Sequence, residues 1–173
     1  MKKTIFCLFV LASISTGTLA DSDSDKIPTT YSFNSLSLEF AAKAAWGALK
    51  ECRKQGYSIA VAVVDRGGNI QALLRDESAG PHTPETAVRK AWSANTFRQS
   101  TASLAELLKN GGMPHQAGQI PGILLIPGAL AIDASGFHLG AIGASGAPSD
   151  IDHECAIAGK EAIQEALDFS DIN

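Results

Sequence analysis

A chain of 173 residues, 45% of them apolar and only 18% charged, is long enough to bury one substantial core. Fourteen Lys and Arg against 18 Asp and Glu leave a formal charge of −4 with no basic run, which argues against nucleic acid or an anionic membrane surface as the partner.

The first 20 residues read as a secretory signal peptide. Lys2 and Lys3 form a basic start, residues 5–14 an apolar core, and Thr18 and Ala20 the small −3 and −1 positions before cleavage at Asp21. Cys7 lies inside the apolar core, so it gives no sign of lipidation. No later stretch reaches the roughly 18 apolar residues that a membrane span needs. The mature protein is therefore expected in the periplasm or outside the cell, without a membrane span. Residues 21–34 open with an acidic leader, hold Pro28, and read as a flexible tail.

From Leu36 to Gln55 apolar side chains recur at helical spacing, with Ser35 or Ser37 as the cap and Gly56 as the stop. Residues 58–65, SIAVAVVD, form the clearest strand. It is apolar almost throughout, hence central and covered on both faces. Arg66-Gly67-Gly68-Asn69 turns the chain into a returning strand, Ile70 to Arg75. A loop follows, then a helix over residues 85–101, with Thr83 as its cap and Pro84 at its first position. A short helix over 104–109 stops at Gly111-Gly112, and residues 113–122 read as a ligand-facing loop.

Short strands are expected at 123–126 and 129–133, around Pro127-Gly128, and another from Phe137 to Ile142. A small-residue turn, 143–148, then leads into a helix over 151–167 that Ser149 or Asp150 caps. Hairpin-joined strands favour a single α+β domain over 35–170: a mainly antiparallel sheet of about five strands flanked by helices.

Gly140, Gly143 and Gly146 fall within seven residues, so the backbone must closely approach either another element or a ligand. Free N–H groups at the following helix start suit a carboxylate or phosphate. Cys52 and Cys155 are the only cysteines after the leader. In an oxidising compartment they are a disulfide candidate, with two buried thiols as the alternative.

No pair among His82, His115, His138 and His153 has the spacing of a local metal site. His82 stands in a Gly-Pro loop before a helix, close in sequence to Thr83, Arg75, Arg89 and Lys90. An imidazole there suits haem iron and the cations suit its propionates; a loop histidine bonded to a carbonyl is the plainer reading. Asp152, His153 and Glu154 form either a small acid/base or metal site or simply an acidic helix start. Ser145 in Gly143-Ala144-Ser145-Gly146 lacks the glycine at 147 that a nucleophile elbow needs.

Four segments together carry a family resemblance: VVDRGGNIQALLRDESAG, PHTPETAVRKAWSA, GILLIPGALAI and LGAIGASGAPSDIDHECAIAG. They resemble the GlcG/HbpS family of haem-binding proteins, whose module is also the C-terminal part of PduO-type corrinoid adenosyltransferases. The match runs from Leu36 to Leu167. It implies a profilin-like domain that assembles into homo-oligomers and takes haem as its cofactor, with haem degradation or redox sensing in some members.

Asp65 to Gly68, Arg75, Lys90, the glycines of the 143–146 turn and Asp152 to Glu154 match the family's pattern. On this resemblance His82 is the expected iron ligand, with Thr83 as the oxygen alternative and Arg75, Arg89 and Lys90 around the cofactor. Gly143, Ser145, Gly146, Asp152, His153 and Glu154 make a second candidate site. Gly128-Ala129 stands where the family pattern leads one to expect two glycines. An exported haem carrier, buffer or sensor is the function implied. An enzyme or accessory acting on a small organic acid or carbonyl compound, and a ligand-free oligomeric module, are the alternatives.

Overall fold

The computed structural model describes residues 29–169, so the expected signal peptide and most of the tail lie outside the described residues. The elements follow in the order α1 (Leu38–Lys54), β1 (Ala60–Asp65), β2 (Ile70–Arg75), α2 (Thr83–Phe97), α3 (Thr101–Lys109), a 3-10 turn (His115–Gln119), β3 (Ala129–Ala134), β4 (Phe137–Ser145) and α4 (Ser149–Asp168). The four strands form one antiparallel sheet in the order β2-β1-β4-β3.

Strand alternation sends side chains to two helical layers. Val61, Val63, Ile142 and Ala144 face α1 and α4 in the main core. Ala60, Ala62, Val64 and Ala141 face α2, where they meet Ala87, Ala91 and Ala94. Small residues on both sides of that second contact let α2 lie close to the sheet. Gly143 is the tightest point, since a Cβ there would stand 2.5 Å from the Ala87 carbonyl oxygen and 2.7 Å from the Ala91 nitrogen. β1 is central and buried along nearly its whole length, as its composition predicts.

Ser37 caps α1 by accepting from the Phe40 N–H, and Gly56 follows its end at φ +82°. The Arg66–Asn69 turn closes the β1–β2 hairpin, with Gly68 at φ +84°. A Cβ on Gly68 would press into the Trp92 indole at 2.9 Å; one on Gly122 would reach the other end of the same ring at 3.3 Å. The indole of α2 thus lies between the hairpin turn and the loop before β3. Asp76 ties three segments together: it accepts from Arg53 Nε at 2.8 Å and from the Ile59 N–H at 3.2 Å, joining the end of α1 to the entry of β1 and the exit of β2.

Cys52 of α1 and Cys155 of α4 are joined as a disulfide, with Cα atoms 5.6 Å apart. This settles the open alternative in favour of the bridge.

Several expectations are corrected. The sheet has four strands, because residues 123–126 do not pair in it. The Leu124 N–H donates to Ser93 Oγ and the Ile123 carbonyl accepts from Arg89, so that segment spends its backbone groups on α2. α2 starts at Thr83 itself and ends at Phe97, where Arg98 takes a left-handed conformation and stops it. α3 starts at Thr101, capped by Ser100, rather than at 104. α4 starts at Ser149, and neither Ser149 nor Asp150 serves as its cap. Pro148 holds the cap position with no side-chain cap bond, and Asp152, in the first turn, accepts from the Ala147 N–H of the preceding turn at 3.0 Å.

Candidate functional site

A cleft of about 460 Å³ opens where the first turns of α2, the end of β4 and the start of α4 meet. His82, Thr86, Arg89 and Lys90 form its α2 wall. Leu124 and Ile126 supply an apolar side, and Ser145, Gly146, Ala147, Ser149 and Asp152 close the third. The two regions that sequence reading kept apart, around His82 and around the 143–154 turn, therefore share one cavity of a size typical for small ligands.

His82 occupies the position just before α2, with Pro84 fixing the start of the helix. Its carbonyl accepts from the Thr86 N–H at 3.1 Å and from Thr86 Oγ1 at 2.9 Å. The imidazole leans against Gly80, where a Cβ would come within 2.8 Å of the ring Cε1. The ring is exposed and hydrogen-bonds no described residue. The plainer expectation, a histidine bonded to a loop carbonyl, does not hold.

Lys90 is buried at the floor. Its ammonium donates to Asp152 Oδ2 at 2.8 Å and to the Ala144 carbonyl at 3.1 Å, and it lies against Gly128, where a Cβ would be 2.7 Å away. Burial pushes the Asp152 carboxyl above the ordinary value, while Lys90 and the turn N–H groups pull it down. The pair links α2 to α4 across the end of the sheet, and Asp152 in turn holds the 145–148 turn. The charge of Lys90 is thus already matched inside the protein. Gly128, at φ +134°, leaves room for this ammonium, and Ala129 beyond it is buried in β3 without disturbing the strand.

Arg89 donates once, to the Ile123 carbonyl at 3.3 Å, and its other N–H groups have no partner among the described residues. Ser145 is only 4% exposed, lines the cleft, and its hydroxyl also has no partner among them.

The remaining expected residues stand outside the lining. Thr83 is buried and its hydroxyl donates to the Gly80 carbonyl at 2.8 Å. The Arg75 guanidinium donates to the Ala79 carbonyl. Gly143 is packed under α2. Of the Asp152-His153-Glu154 cluster, only Asp152 reaches the cleft; Glu154 is exposed and His153 half-buried, its Nδ1 shut away without a hydrogen-bond partner. Burial lowers the His153 pKa, against a smaller upward pull from Glu154. Leu124 and Ile126, the apolar side, were read as strand residues and carried no signal of a ligand role.

A four-stranded antiparallel sheet with α1 and α4 on one face and α2 on the other, and a mixed polar and apolar cleft at its end, defines an α+β domain with a candidate ligand cleft. The profile of the haem degrading protein HbpS-like family matches residues 36–161, and the chain belongs to that family. The crystal structure of HbpS is similar to it at 38% identity and a TM-score of 0.73, covering 78% of this chain and 94% of the other. Protein GlcG of Escherichia coli strain K12 is 28% identical over 110 residues, 64% of this chain and 81% of GlcG. A PduOC:heme complex shares the fold at 22% identity and a TM-score of 0.69, covering 75% of this chain and 95% of that one.

Proposed function

We propose that the protein is an exported haem-binding protein, a carrier, buffer or sensor module, and that the cleft between α2 and α4 is its haem site. The observation that carries this reading is His82: an exposed imidazole with no hydrogen-bond partner among the described residues, at the mouth of a cleft with a cation and an apolar wall. The lining fits the group. His82 offers a nitrogen to the iron, Arg89 offers free donors to a propionate, and Leu124 and Ile126 offer apolar surface to the ring. Bound haem supplies redox-active iron; the chain's residues hold and orient it. Thr83, with its hydroxyl spent on Gly80, contributes by setting the start of α2 and thereby the position of His82.

The names of HbpS-like relatives and of the PduOC:heme complex support the choice of haem. The basic and apolar leader over 1–20, followed by a tail to residue 34 and the binding domain over 35–170, supports export to the periplasm or beyond. The disulfide suits the same compartment. Assembly into a homo-oligomer belongs to this reading as well.

The test is a haem titration of the chain lacking residues 1–20, followed by absorbance, with His82→Ala alongside. A saturable Soret band near one haem per chain that shifts or weakens in the variant supports the assignment. A band no greater than that of free haem overturns the function, and an unchanged band in the variant removes His82 as the ligand.

A further inference from the structure

Every polar side chain lining the cleft that lacks a partner among the described residues can donate a hydrogen bond, and the acidic side chain lining it is already satisfied. Asp152 accepts from Lys90 at 2.8 Å and from the Ala147 N–H at 3.0 Å. Arg89 keeps unpartnered guanidinium N–H groups, and Ser145, 4% exposed, keeps an unpartnered hydroxyl facing the cavity. In a chain of formal charge −4, this is a local surplus of positive charge and donors beside the apolar Leu124 and Ile126. Both donors remain open to the cleft, and a carboxylate entering it would satisfy them with charge-assisted bonds.

We infer that the cleft contains a carboxylate subsite, in which Arg89 pairs with the carboxylate, the Ser145 hydroxyl donates to it, and Leu124 and Ile126 take an apolar body attached to it. The inference deepens the reading of this cleft as the ligand site. A carboxylate on an apolar body has two sources: a porphyrin propionate or a free short-chain acid.

The free acid is tested by titrating the isotopically labelled chain with butyrate and, separately, with butyramide at constant ionic strength, followed by amide chemical shifts. Butyrate should move the amides of residues 145–149 and those around Arg89 saturably, and butyramide should not. Arg89→Gln should weaken butyrate at least about fivefold, and Ser145→Ala about two- to fivefold, with the remaining spectrum unchanged. In a second arm, haem and haem dimethyl ester are compared by absorbance. If the propionate is the occupant, the ester binds the wild type about tenfold more weakly, and Arg89→Gln removes the difference.

A response to butyrate with equal haem and ester affinities supports the subsite and assigns it to a free acid. If the chain takes up no haem but responds selectively to butyrate, the haem reading fails and the subsite stands. If haem binds while butyrate and butyramide act alike and haem and ester bind alike, the subsite is overturned and the haem reading stands.

Discussion

Lys90 shows how a side chain's role depends on a residue far away in sequence. Its place near His82 marked it as a cation for the ligand, yet Asp152, 62 positions on, consumes that charge at 2.8 Å. Lys90→Met should cost about 3–5 kcal/mol in a urea unfolding experiment, because it strands a buried carboxylate. Lys90→Met combined with Asp152→Asn, which keeps an acceptor for the Ala147 N–H, should recover most of that loss. Equal losses in the single and double variants would refute the pairing. His153 gives a different signature. Burial lowers its pKa, so below about pH 6.5 the unfolded chain takes up the proton more readily and stability falls as pH drops. Denaturation midpoints between pH 8 and 5 should therefore fall less steeply for His153→Leu than for the wild type. His82 was legible as a residue because a histidine in a Gly-Pro loop before a helix stands out. The partnerships of Lys90 were not, since they join α2 to β4 and α4, segments more than 50 positions away in sequence, and the burial of His153 Nδ1 carried no sequence signal.

Among the elements, α2 has the most consequences. Its alanine-rich face and the glycine beneath it set its depth on the sheet, and that depth fixes Arg89 and Lys90 in the cleft. Gly143→Ala should therefore do more than add a methyl group. The new Cβ has backbone, not a flexible side chain, in its way, so α2 must shift. A loss of about 1–3 kcal/mol in unfolding free energy, with weaker haem uptake, is expected. Unaltered stability and binding in Gly143→Ala would show that α2 sits less tightly than described. The helices, the β1–β2 hairpin and the last strand could be read from periodicity and glycine placement. The missing fifth strand could not: residues 123–126 have the composition of a strand, but no sheet edge receives them. A serine and an arginine of α2 take their backbone groups instead.

At the level of the whole molecule, the Cys52–Cys155 bridge spans a sequence separation of 103 and joins the helices that cover one face of the sheet. Closing so long a loop restricts the unfolded chain, and on chain-entropy grounds its loss costs about 4–5 kcal/mol. Replacing both cysteines with alanine should lower the urea midpoint accordingly, with the folded far-ultraviolet spectrum retained under native conditions. No change in midpoint would mean that the bridge does not form. Sequence could supply the pair but not its geometry, and it presented as two candidate sites what the antiparallel return of β4 beside β1 unites in one.

The Trp92 indole, wedged between Gly68 and Gly122, lies one turn beyond Arg89 on the same helix. It gives the protein a built-in optical gauge. With Trp46, exposed on α1, replaced by phenylalanine, emission should arise from this single ring. A porphyrin seated nearby would quench it by energy transfer, whereas a colourless acid would leave its intensity nearly untouched. One fluorescence titration would then tell the two kinds of occupant apart, without any label.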